Sequence, residues 1–167
     1  MILGTRVVFL LIFLSCASLV GYAFYLQLVN HLLPCPLCIA QRVAFWLVGL
    51  TALFAFFHNS RSLGCQIYSS LIAVFALVGM LVALRHSWLV RHPEAFECGI
   101  STEEKFLNAL SIAKWWPSMF EANGDCADVT WEFMSLTIPD WSATFFALFF
   151  ILAVYVLFSS RNPVKLT

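Results

Sequence analysis

The chain has 167 residues, 62% of them hydrophobic and 11% charged, with a formal net charge of zero. Soluble domains average nearer a quarter charged and less than half apolar, so a water-soluble globular enzyme is disfavoured, and the balanced charge offers no basic surface for nucleic acid. All nine carboxylates fall between Glu94 and Asp140, which sets one polar segment into an otherwise apolar chain.

In chain order, four apolar stretches stand out: residues 7–29, 36–57, 63–84 and 141–158. Each is close to the ~20 residues that cross a ~30 Å hydrocarbon layer as a helix, and helices satisfy their own backbone hydrogen bonds in lipid. The first stretch is longer than the ~7–15 residue core of a cleaved signal peptide, which favours a retained span. The expected fold is therefore an all-α membrane protein, a four-transmembrane-helix bundle forming a single domain over residues 1–167, with a long loop over residues 85–140. Arg6, Arg61, Arg161 and Lys165 flank the spans on one side, in segments without acids. The positive-inside rule makes that side the cytoplasm and places both termini there. Inside the loop, residues 109–120, ALSIAKWWPSMF, carry Trp115, Trp116, Met119 and Phe120, a composition suited to a short helix lying at the membrane interface.

The six cysteines sort by side. Cys16, within the first span, and Cys65, near the cytoplasmic end of the third, read as small hydrophobic packing residues. Cys35, Cys38, Cys98 and Cys126 fall on the other side, which in a bacterium is the oxidising periplasm. Four cysteines allow three pairings; Cys35 with Cys38 and Cys98 with Cys126 is the natural one. A Cys-Pro-Leu-Cys unit closes too small a loop to restrain the unfolded chain much, whereas Cys-X-X-Cys suits thiol–disulfide exchange. Metal binding is the main competitor. Zinc needs more than two thiolates, and the histidine nearest in sequence, His31, precedes the pair; no metal centre is expected. An inert pair is the third reading. For Cys98–Cys126, the choice lies between a structural staple and a second exchange pair.

If a helix opens at Pro36, a favoured first-turn residue, Cys38 and Arg42 lie on one face, a turn apart. A guanidinium and the positive end of the helix dipole would both steady a Cys38 thiolate. A cation inside a span usually marks function; the competing reading is an arginine snorkelling to the headgroups.

CPLCIAQR, with its Cys-X-X-Cys-X-X-X-Arg form, and NGDCADVTWEFMSLTIPDW, residues 123–141, resemble the DsbB family of bacterial disulfide-bond formation proteins over nearly the whole chain. The resemblance implies a protein-disulfide oxidoreductase of the inner membrane. It would reoxidise a periplasmic DsbA-like thioredoxin-fold protein and pass two electrons to the membrane quinone pool, as ubiquinone or menaquinone. It implies that Cys98 receives the partner's thiolate, that Cys126 is its loop partner, that Cys35 exchanges with that pair, and that Cys38 faces the quinone with Arg42 beside the ring. His86 stands where the family often has a histidine at the periplasmic end of helix three, near the quinone; an interfacial histidine is the plainer alternative. A vitamin K epoxide reductase-like enzyme is a rival, but that family carries its quinone-facing Cys-X-X-Cys late in the chain. A metal-handling or disulfide-stapled four-span protein is the rival of another class.

Overall fold

A computed structural model describes residues 2–30, 35–58, 62–92, 132–133 and 136–161. Four helices account for nearly all of these residues: α1 (Ile2–Asn30), α2 (Pro36–His58), α3 (Ser62–Arg91) and α4 (Ile138–Arg161). All four are long and apolar enough to cross a membrane. Large apolar side chains such as Leu11, Phe54, Val74, Leu81, Ile151 and Phe158 face outward along their lengths. A water-soluble bundle would not tolerate so continuous an apolar exterior; a multi-pass membrane protein requires it.

The interior is built from seams spaced alternately three and four residues apart. On α2 the seam is Gln41, Phe45, Val48, Ala52 and Ala55; on α3 it is Ser69, Ile72, Ala76, Gly79, Ala83 and His86; on α4 it is Phe146, Phe149, Ala153 and Val156. This spacing keeps one face turned toward a neighbouring helix, and small residues at the contact let helices approach closely in lipid. α3 packs along α4 and α2, α1 packs along α2, and α1 barely touches α4. Two approaches are especially tight. Gly49 leaves room for Cys16, whose Cβ would lie 3.1 Å from a Cβ added at position 49, so Cys16 is buried as a packing residue. Gly79 opens the hole filled by Phe146, whose ring stacks on Phe45 with centroids 4.0 Å apart.

A Cβ on Gly79 would come within 2.5 Å of that ring, and Phe146 is wholly buried. Gly79→Ala is therefore expected to destabilise the bundle by about 1–3 kcal/mol, the usual range for overpacking. A denaturant titration of the protein in detergent checks this, and an unchanged midpoint would show that the ring swings aside freely.

The helix boundaries correct the expectation at one end of the bundle. The third helix does not stop at Leu84: α3 continues to Arg91. Hydropathy falls at Arg85, but His86, Ser87 and Leu89 are buried, so the helix goes on because its inner face still has partners. α4 begins at Ile138, ahead of Trp141. Thr137 precedes it, its backbone N–H donating to Asp140 Oδ2 at 3.0 Å and its hydroxyl to the same oxygen at 2.7 Å, so the carboxylate reaches back to the N-cap N–H as in one half of a capping box. Before it lies a minimal antiparallel ladder in which Glu132 pairs with Thr137 and Phe133 with Leu136. Ser87 Oγ and Arg91 both donate to Asp140 Oδ1, the ion pair at 3.0 Å, and Arg91 also donates to Ser87 Oγ. This cluster ties α3 to α4 where the long connection between them starts and ends. The expected interfacial helix at residues 109–120 lies outside the described residues.

Candidate redox site at the head of α2

The site is built where the α2 and α3 seams run out of apolar residues. Cys35 is the N-cap of α2. Its carbonyl accepts the first helical hydrogen bond, from Ile39 N–H at 3.1 Å. Its sulfur accepts the Cys38 N–H at 3.3 Å, the position that a serine or aspartate oxygen takes in most caps. Pro36 follows at the first helical position, where its missing N–H leaves nothing unsatisfied. The positive end of the helix is thus spent on Cys35, a correction to the expectation that Cys38 receives it, because the N-cap side chain and not the third helical one points back over the open amides. Cys35 Sγ in turn donates to Cys38 Sγ at 3.2 Å. The two sulfurs are in contact but not bonded to one another, being separated by more than the ~2.05 Å of a disulfide bond.

Cys35 is 2% exposed and packs with Leu37 and Leu89, while Cys38 is half-buried. Beside Cys35, from α3, stands His86, 5% exposed, with Nε2 3.7 Å from the sulfur. Its other nitrogen meets Gln41, whose Nε2 donates to His86 Nδ1 at 2.9 Å. An amide nitrogen only donates, so with the Gln41 nitrogen turned this way Nδ1 accepts and Nε2 carries the proton toward Cys35, and the amide turned over would exchange the two roles. His86 is thus buried with both ring nitrogens engaged.

Arg42 follows Cys38 by four residues on α2, half-buried. Its Nη1 donates to Gln27 Oε1 at 2.8 Å, and its guanidinium carbon lies 5.2 Å from the centre of the Phe24 ring. Both partners belong to α1. A planar cation over an aromatic face and hydrogen-bonded to an amide oxygen is held in place, which a freely snorkelling side chain would not be.

Of the six residues singled out in the sequence, Cys35, Cys38, Arg42 and His86 converge here; Cys98 and Cys126 lie outside the described residues. Gln41, Gln27 and Phe24 were not anticipated. Gln41 had a signal: it continues the α2 seam one turn beyond Phe45, as His86 continues that of α3 beyond Ala83, and two polar residues ending adjacent seams at the same end of a bundle should meet. The metal argument also needs correction. It weighed only His31, close in sequence, whereas α3 delivers His86 to the pair.

Comparison with known proteins shows the family. The family model for "Disulfide bond formation protein DsbB" matches residues 5–156. A Disulfide bond formation protein B of Nitrosospira multiformis is 65% identical over 157 residues, 94% of each chain. One from Nitrosomonas eutropha is 66% identical over 160 residues, 96% of this chain and 99% of that protein. A more distant relative from Marinobacter nauticus is 38% identical over 164 residues, 95% of each. With four membrane-spanning helices and a Cys-X-X-Cys pair capping the second, the chain belongs to the DsbB family of disulfide bond formation proteins.

Proposed function

We propose that the protein is a quinone-dependent dithiol oxidase of the bacterial inner membrane, with cytoplasmic termini, that reoxidises a periplasmic DsbA-like thioredoxin-fold protein. The observation that carries the reading is the Cys35–Cys38 contact of 3.2 Å at the start of a membrane-spanning helix, with an anchored guanidinium one turn further in. A pair so placed serves an aqueous reductant on one side and a lipid-soluble oxidant on the other.

The electrons move by exchange. A partner thiolate attacks Cys98 and breaks the Cys98–Cys126 bond, giving a mixed disulfide. The partner's second thiolate then displaces Cys98, so the partner leaves oxidised and the loop pair is left as two thiols. One of these attacks Cys35, Cys38 departs as a thiolate, and resolution of the resulting bond restores Cys98–Cys126 and leaves Cys35–Cys38 reduced. His86 holds a proton at Nε2 toward Cys35 and steadies negative charge there. A membrane quinone supplies the acceptor for two electrons and two protons. The residues suit such a ring: the Arg42 guanidinium has, among the described residues, one hydrogen-bond acceptor, Gln27, and the half-buried Cys38 lies a turn away on the same helix. Arg42 and Cys38 would hold it, with His86 behind them against Cys35. Cys35 itself is buried, so exchange with a loop thiol requires its cover to open.

Purified protein in lipid should oxidise more than a stoichiometric amount of a reduced DsbA-like protein only when quinone is present. Mixed with the oxidised form of that protein, Cys126→Ala, whose Cys98 thiolate opens the partner's disulfide and has no loop cysteine to resolve the bond, should accumulate a Cys98 mixed disulfide, seen on a non-reducing gel. Turnover by the wild type without any adduct in this variant under trapping conditions would overturn the role given to the loop pair.

A further inference from the structure

Cys35 Sγ, Cys38 Sγ and His86 Nε2 all lie within 4.8 Å of one another. In a tetrahedral zinc site, metal–sulfur bonds of ~2.3 Å and metal–nitrogen bonds of ~2.0–2.1 Å set ligand separations of roughly 3.5–3.8 Å. The sulfurs stand 3.2 Å apart, and Cys35 Sγ lies 3.7 Å from Nε2, so the three donors already stand near the spacing that one ion sets. Gln41 is the outer partner that a metal-bound histidine needs. With a cation on Nε2 the ring proton moves to Nδ1, and the Gln41 amide, by turning over, offers its oxygen as acceptor. A glutamine supports either tautomer, so His86 can switch between donor and ligand without leaving its place. Two thiolates and an imidazole select soft or borderline cations over magnesium or calcium.

We propose that the dithiol form of the Cys35–Cys38–His86 triad is a binding site for one soft divalent cation of the zinc and cadmium class. Capture breaks two S–H bonds, releases two protons and forms two sulfur–metal bonds and one nitrogen–metal bond; no electron moves. The disulfide form has no thiolate to give, so the site exists only in the reduced protein, and the cation and the electron acceptor compete for the same two sulfurs. The arrest of turnover that follows rests on the proposed function; the binding does not.

The test uses full-length protein in detergent, reduced with a phosphine that is then removed, and Cd²⁺ as the probe. The ultraviolet sulfur-to-cadmium absorption should saturate with one ion at the triad. It should be absent from the oxidised protein, persist in a Cys98→Ser/Cys126→Ser variant, and need at least ~10-fold more cadmium in His86→Gln. In the wild type, bound Cd²⁺ should protect Cys35 and Cys38 from maleimide while Cys98 and Cys126 still label, a readout that stands if His86→Gln fails to fold. No absorption in the wild type, an absorption that requires Cys98 or Cys126, or protection of those two alone overturns the inference. Neither quinone nor partner protein is in the cuvette, so cadmium binding without quinone turnover would sink the proposed function and leave this site standing, and the converse would do the reverse.

Discussion

Cys38→Ala is expected to lower quinone-coupled turnover by about 10³-fold or more, the scale seen when a covalent participant is removed, while one round of exchange with the reduced partner persists. Cys38 Sγ touches Cys35 Sγ, whereas Cys16 packs against Gly49 in the body of the bundle. Without Cys38 the α2 pair cannot close its own disulfide, and electrons halt short of the quinone. Cys38→Ser should behave alike, since a hydroxyl keeps the shape but not the chemistry. Quinone absorbance reports the steady state, and an acid-quenched gel shift of the partner reports the single round. Turnover within tenfold of wild type would mean that the loop pair delivers electrons by a route that bypasses α2.

Arg42→Met should raise the apparent quinone KM by about 10- to 100-fold, corresponding to the ~1.5–3 kcal/mol of a hydrogen bond to a charged group. It should leave single-round partner exchange intact, provided that the protein is purified oxidised. Arg42→Lys keeps the charge but loses the planar fork and should fall between the two. Gln27→Leu provides the control on anchoring: the guanidinium stays but loses its hold on α1, so a smaller rise is expected. Slower partner exchange in Arg42→Met with unchanged quinone dependence would assign Arg42 to folding or docking and remove the main physical support for a quinone beside Cys38.

The four spans were legible because burial in lipid writes itself as long apolar runs, and Cys35, Cys38 and Arg42 because their spacing is local. What escaped was non-local. Hydropathy ends α3 at Arg85, since an average over a window cannot register that His86 and Ser87 face inward while Arg85 and Trp88 do not. Gln27 and Gln41 look like tolerated polar residues until a guanidinium and an imidazole from elsewhere in the chain meet them. The division of labour at the cap, with Cys35 and not Cys38 on the open amides, depends on which residue is the last non-helical one, a boundary that spacing leaves uncertain by a residue or two.

The Arg91–Asp140 ion pair has a kinetic consequence. It fastens the two ends of the long connection to one another, at the same end of the bundle as Cys35, against which Leu89 packs. Cys98 follows His92 by six residues and Cys126 precedes Thr137 by eleven, so covalent reach holds them within about 20 Å and 40 Å of those anchors, at ~3.3–3.6 Å per residue. Tethers of such reach correspond to effective concentrations of the order of millimolar. In the proposed relay, the partner protein must be met by diffusion, but the loop pair and Cys35 meet as parts of one molecule, at a rate that dilution of the enzyme in its membrane leaves unchanged.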